Sequence, residues 1–220
     1  MKKFALIVSL LVITLAGSSQ ALFIGQMRSA QTLGMGSLSL STGIGLFENS
    51  RDIYGTVRYG LAAPLDVSAS LAIVDAESAD DPAFLINADL QYQFMRSDMG
   101  WPLDMALGGV FEYYKLDLGA SDLKQWSLGA NYVISRPVKL ENGFAFTPYG
   151  RLNLRSDSYS WNYDAIPGIG QAASSADDSD FNIAVNLGSE FSITDKIKLV
   201  GELLIDDELG FIGGISFFMW

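Results

Sequence analysis

The sequence predicts an all-β fold, a single antiparallel up-and-down sheet of about ten strands closed into a barrel, with eight strands as the alternative. Three observations predict it. Apolar residues recur at every second position along most of the chain after residue 35. Turn residues punctuate that pattern at roughly 20-residue spacing, which suits strands of about 9–11 residues plus their connections. The face opposite the apolar one is small and sparsely charged, unlike the outside of a water-soluble sandwich.

Taken in chain order, Lys2 and Lys3 followed by the apolar run Phe4–Leu15 form the n- and h-regions of an export signal. Ser19-Gln20-Ala21 supplies the small-x-small cleavage site, so residues 1–21 are expected to be removed and the remainder exported by the Sec route. Residues 22–35 are read as a periplasmic lead-in. A plug in the barrel mouth is the other placement open to them. Gly34-Met35-Gly36 and Gly43-Ile44-Gly45 lack the following helix of a phosphate loop, so these glycines are read as bends and close approaches.

The barrel is assigned to residues 36–220. Its expected strands are 36–48, 51–62, 65–75, 83–95, 103–115, 123–135, 144–156, 180–193, 197–206 and 209–219. In the eighth, Phe181, Ile183, Val185, Leu187, Phe191 and Ile193 alternate with Asn182, Ala184, Asn186, Gly188, Glu190 and Ser192. In the fourth, Phe84, Ile86, Ala88, Leu90, Tyr92 and Phe94 alternate with Asn87, Asp89, Gln91 and Gln93. Connections such as Ala63-Pro64, Ser97-Asp98-Met99-Gly100 and Glu141-Asn142-Gly143 carry turn chemistry. The longest connection, 157–179, is expected to be a loop.

A narrow barrel fills its lumen with side chains. Ser37, Ser39, Ser41, Gly43 and Gly45, with Ser68, Ser70 and Ala72, suit that crowded face. The charges that share it are Arg58, Asp89, Glu112, Arg151, Arg155, Glu190, Lys198 and Glu202, and they are expected to pair across the interior. Aromatics gather near strand ends, as girdles at a membrane surface do. Tyr92, Phe94, Trp101, Tyr132 and Phe144, with Phe218 and Trp220, are placed at one rim. Tyr113, Trp126 and Phe181 are placed at the other.

The chain ends Phe217-Phe218-Met219-Trp220, directly at the end of a strand. Ile212, Phe218 and Trp220 form an alternation resembling the terminal-strand signal of bacterial outer-membrane barrels. Ser216 and Gly214 depart from it, and Trp stands where Phe is commoner. With the export signal and the hairpin series, the chain is similar to small outer-membrane β-barrel domain proteins of eight to ten strands. That resemblance implies a Gram-negative outer membrane, both termini in the periplasm, a monomer surrounded by lipid, and biogenesis through periplasmic chaperones and the barrel-assembly machinery.

Composition bounds the chemistry. Histidine and cysteine are both absent, which removes Ser-His and Cys-His nucleophiles, thiolate metal sites and disulfides. The net charge of −11 becomes −13 without Lys2 and Lys3, with 12 basic side chains against 25 acidic, which argues against nucleic acid. Acidic clusters at Asp75/Glu77/Asp80/Asp81, Asp177/Asp178/Asp180 and Asp206/Asp207/Glu208 lack the spacing of a calcium loop and are read as solvated loop charge. No catalytic, cofactor or metal site is expected. The expected function is a non-catalytic barrel giving structural support or displaying surface loops. A narrow pore for ions or small solutes is the first alternative, and binding of a surface ligand through 157–179 the second.

Overall fold

The structure, a computed structural model, describes residues 26–76, 81–117, 121–163, 174–206 and 209–219. The expected export signal over 1–21, residues 22–25 and Trp220 lie outside them. Its strands are β1 (Leu38–Leu46), β2 (Ser50–Ala62), β3 (Leu65–Ala76), β4 (Ala83–Met95), β5 (Asp104–Asp117), β6 (Ser121–Ser135), β7 (Val138–Lys139), β8 (Ala145–Tyr163), β9 (Ser174–Thr194), β10 (Ile197–Ile205) and β11 (Leu209–Met219). A single 3₁₀ turn, Ser97–Met99, bridges β4 and β5 among these residues.

Every ladder in the wall is antiparallel between strands consecutive around the barrel. β1 pairs with β11 from Leu38↔Met219 to Leu46↔Phe211, which closes the sheet and leaves no edge. The two-residue β7 only flanks the start of β8, while β6 pairs with β8 directly. The wall therefore has ten strands, the larger of the two expected counts. Register slips between Gly60 and Ala62, Gln93 and Met95, and Ile197 and Lys198 all fall at the end where β1 begins and β11 finishes. Bulges commonly terminate pairing at barrel rims. We call this end proximal and the other distal.

The expected strands match the observed ones closely, except around 157–179. Here β8 runs on to Tyr163 and β9 starts at Ser174, paired from Asp157↔Asp180 up to Tyr163↔Ser174. Ser156, Asp157, Ser158, Ser160 and Asn162, around Tyr159 and Trp161, look like loop composition in one dimension. Their backbone groups instead find a ladder, because β6 also rises to meet Ser156–Tyr163. The barrel is consequently taller on the β5–β9 side. Residues 164–173, the centre of the expected loop, lie outside the described residues.

Side-chain direction follows parity. On β4, Ala83, Leu85, Asn87, Asp89, Gln91 and Gln93 are buried, while Phe84, Ile86, Ala88, Leu90, Tyr92 and Phe94 are exposed. Phe84 is 69% exposed, Phe181 66%, Ile53 64% and Leu71 64%, so the large apolar side chains are on the outside. From Phe84 to Phe94 the strand rises about 34 Å; at a tilt of 35–45° this gives an apolar band about 25 Å tall, the height of such bands in membrane barrels. No helix among the described residues is long and apolar enough to cross a membrane.

Candidate functional site

The lumen is filled rather than open, and its proximal half is built around residues 26–33. Gly34 (φ 87°) and Gly36 (φ 81°) hold left-handed conformations that other residues adopt at a cost. Together with hydrogen bonds from Ser37 N to Gly34 O (3.2 Å) and Gly36 N to Gly60 O (2.9 Å), they turn the chain back on itself just before β1. A side chain at Gly60 would collide with the Gly34 carbonyl, so the turn sits flat against β2. The reversal sends residues 33 to 26 up the inside of the barrel, where Gln26, Met27, Arg28, Ser29 and Ala30 are all buried.

A chain threaded through a lumen has no strand partner, so wall side chains must satisfy its backbone. Leu33 N donates to Asp66 (3.0 Å), and Thr32 N and Oγ1 both donate to Gln93 Oε1 (3.0 and 2.9 Å). Ala30 N donates to Ser135 Oγ (3.1 Å) and Ser29 N to Glu190 Oε1 (2.6 Å), while Gln91 Nε2 donates to Ser29 O (3.1 Å). Arg151 reaches in from β8 to the carbonyls of Gln26 and Arg28 and to Gln26 Oε1 (3.1 Å). Side chains of the segment lock the same register. Arg28 forms an ion pair with Asp89 and donates to Gln91 Oε1 and Ser68 Oγ, each at 2.9 Å. Ala30 packs with Ala106 and Val133, and Met27 Sδ accepts from Tyr54 OH at 3.0 Å. A Cβ at Gly214 would strike both Met27 and the Tyr54 hydroxyl, which gives this glycine a steric role.

The distal half closes in a different way. Tyr54, Val74, Leu85, Leu116, Leu123, Tyr149 and Ile212 form one buried cluster, with Phe47, Tyr114, Tyr159 and Trp161 packed on it. Polar pairs thread the cluster. Glu202 accepts from Tyr149 OH and Asn186 Nδ2, both at 2.6 Å, and Asn87 Nδ2 donates to Glu112 at 3.4 Å. Between segment and wall, the cleft bordered by Arg28, Arg58, Glu190 and Lys198 has a volume of about 20 Å³, enough for a water molecule.

The structure places all eight expected lumen charges on the inner face. Arg58, Asp89, Glu112, Arg151, Arg155, Glu190 and Glu202 are buried and Lys198 is half-buried. Two of them, Lys198 and Glu190, pair with each other, and the others with observed ion pairs take partners outside the expected set. Arg58 pairs with Asp66 on the neighbouring strand, Lys198 with Glu190 (2.6 Å), and Arg155 with Asp157 (2.7 Å) and Asp206 (3.3 Å). The inserted segment occupies the proximal lumen, so Asp89, Glu190 and Arg151 meet it there, whereas Arg155 on β8 reaches past β9 to Asp206 at the end of β10. Asp89 faces Arg28. Sequence reasoning missed Arg28, Asp66, Asp157 and the two buried tyrosines. The Gly34-Met35-Gly36 turn was the signal that the preceding residues reverse. Among the described residues no three acidic side chains converge as a metal-ligand set.

Tyr92, Phe94, Trp101, Trp126, Tyr132, Phe144 and Phe181 are exposed, and Tyr113 is half-buried. All but Trp101 and Phe144 lie on the outer face of barrel strands. Proximally, Phe94 stacks on Tyr132 (6.4 Å) and Phe144 joins Phe146 and Phe191 (6.0 and 6.2 Å), while distally Tyr113 is cross-strand from Trp126. At the C-terminus the closure pairs Ser39 with Phe218 and Leu40 with Phe217. This parity turns Ile212 and Phe218 toward the lumen, where Lys198 Nζ lies 5.0 Å from the Phe218 ring centre. Phe218 is therefore not in the outer girdle. The outward register of β11 is Phe211, Gly213, Ile215, Phe217 and Met219.

An edgeless sheet with an apolar outer belt and a polar, filled interior is a transmembrane β-barrel. No family model matches the chain, and no curated protein matches its sequence. Among solved structures, the N-terminal β-barrel domain of Pseudomonas aeruginosa OprF is 12% identical, aligned over 85% of this chain and 100% of that one, with a TM-score of 0.41. An outer membrane channel from Pseudomonas putida F1 is 11% identical over 90% of this chain and 100% of that one, with a TM-score of 0.43. Ail, the attachment invasion locus protein of Yersinia pestis, is 17% identical over 84% and 99%, with a TM-score of 0.35.

Proposed function

We propose that this chain is a non-catalytic outer-membrane barrel, closed to solutes, that supports the membrane and displays its distal β8–β9 hairpin. The observation that carries this is the occupancy of the lumen by Gln26–Ala30, hydrogen-bonded to the wall on β3, β4, β6, β8 and β9. The aromatic closure above it is a second barrier in series. Lipid is the partner of the outer face, with the proximal end in the periplasm and the raised hairpin outside. The absence of histidine and the local pairing of the lumen carboxylates also favour a non-catalytic role.

The test is to refold residues 22–220 in detergent, confirm folding by the heat-dependent shift in gel mobility, and record from planar bilayers. A folded chain that gives no single-channel steps supports the closed barrel. Steady steps would replace it with the narrow-pore reading.

A further inference from the structure

The register aligns two rows of outward side chains at the distal edge of the apolar belt. The lower row, from β4 to β9, is Ile86, Tyr113, Trp126, Ser158 and Ser179. One step further out, the row is Phe84, Lys115, Lys124, Ser160 and Asp177. Lys115 and Lys124 are thus directly opposed across β5–β6, and both are exposed. Like charges placed so close destabilise a sheet unless an anion joins them. Lys115 has Asp122 at 3.3 Å, and no ion pair holds Lys124 among the described residues.

Clefts flank the Tyr113–Trp126 pair on both sides. One, of about 550 Å³, is bordered by Trp126, Ser158, Ser160, Asp177 and Ser179, with Ser160 Oγ donating to Asp177 at 2.9 Å. The other, of about 330 Å³, runs along Phe84, Ile86, Tyr113 and Lys115, with Asp81 at its rim. Trp126 is 50% exposed beside the first, so its indole is open to a ligand. Below both rows lie only apolar or small residues, such as Phe111, Leu128 and Phe181.

We propose that this face binds the headgroup of a phosphorylated glycolipid from the surrounding leaflet. Lys115 and Lys124 take the phosphate, and a sugar ring stacks on Trp126. Ser158, Ser179 and Asp177 meet the sugar hydroxyls, and acyl chains lie along Phe111 and Leu128. An aromatic face with neighbouring hydroxyl and carboxylate acceptors suits a sugar, while paired ammonium groups suit a phosphate. Each part sits at the depth the corresponding part of such a lipid would occupy. The inference rests on the membrane placement proposed above.

The test uses the refolded chain in detergent micelles, with bis-phosphorylated lipid A, its dephosphorylated form and phosphatidylcholine as probes. Native mass spectrometry reads the bound lipid. The expected result is one phosphorylated glycolipid retained at about tenfold lower concentration than the dephosphorylated form. Lys115→Gln/Lys124→Gln should erase that preference, Lys115→Arg/Lys124→Arg should keep it, and Trp126→Ala should weaken both glycolipids alike. A wild-type chain with no preference, or a preference unchanged in the glutamine variant, overturns the site. Equal competition by soluble glucosamine phosphate overturns the lipid assignment. Loss of the heat-dependent gel shift, or channel activity, would count instead against the closed barrel.

Discussion

The Arg28 guanidinium, carried into the lumen by a segment with no strand of its own, is paired with the Asp89 carboxylate on β4. Both side chains are almost fully buried, and Ser68 Oγ donates to the same carboxylate. The segment and the wall therefore hold each other through an interaction that water does not screen.

Breaking this pair from one side strands a buried charge. Asp89→Ala should lower stability by about 3–5 kcal/mol, whereas Arg28→Met with Asp89→Leu should cost much less, since two apolar groups leave nothing unpaired. Equilibrium denaturation in micelles for Arg28→Met, Asp89→Leu and their double variant would measure the coupling. Coupling near zero would mean that the segment is not docked.

The chain has no cysteine, so a single introduced thiol reports cleanly on burial. Ala30→Cys should react with a water-soluble maleimide at least about a hundredfold more slowly than Met35→Cys, because it must wait for local opening of the segment. Ala30 has no exposed surface and Met35 is 80% exposed. Equal rates would place residue 30 outside the lumen.

The turn at Gly34 and Gly36 aims the segment. Replacing both by valine forces two left-handed residues, at about 1–2 kcal/mol each. The expected outcome is faster labelling of Ala30→Cys in a barrel that still shows its heat-dependent gel shift. Unchanged protection would mean that the wall contacts alone direct the segment.

On the proposed reading the lumen is closed twice over, so removing one barrier should not open it. Deleting residues 22–35 should leave bilayers silent. The same deletion combined with Phe47→Ala and Tyr114→Ala, which thins the distal cluster, should give measurable conductance. Its ions should be mainly cations, given buried Asp52, Asp66, Asp89, Asp104, Glu112, Asp157, Glu190 and Glu202 against Arg58, Arg151, Arg155 and Lys198. Conductance from the deletion alone would show that the aromatic cluster does not seal the barrel.

Leu90 lies near the middle of the apolar belt on β4. Leu90→Arg should cost about 2–4 kcal/mol in lipid vesicles, and Met99→Arg in the proximal turn at most about 1 kcal/mol. Equal costs would argue against a bilayer around the barrel.

The sequence by itself determined most of the strands, the turns between them and, outside the last strand, the face each side chain takes. Period-two alternation and turn chemistry are local properties, written within a dozen residues. Phe84, Leu90 and Trp126 are therefore outside, and Asp89, Arg151 and Glu202 inside, before any contact is known. The resemblance of the ending to a terminal-strand signal was legible too, but its parity was not. Only pairing with β1 turns Ile212 and Phe218 inward.

What only the tertiary structure decided is where residues 26–35 go and whom the lumen charges meet. Arg28 and Asp89 are 61 residues apart in sequence, and Ser29 and Glu190 are 161 apart. No local pattern encodes such a meeting, because it exists only once ten strands have closed around a space of the right width. The same holds for 157–163 and 174–179, whose polar composition resembles a loop until neighbouring strands offer their backbone a ladder.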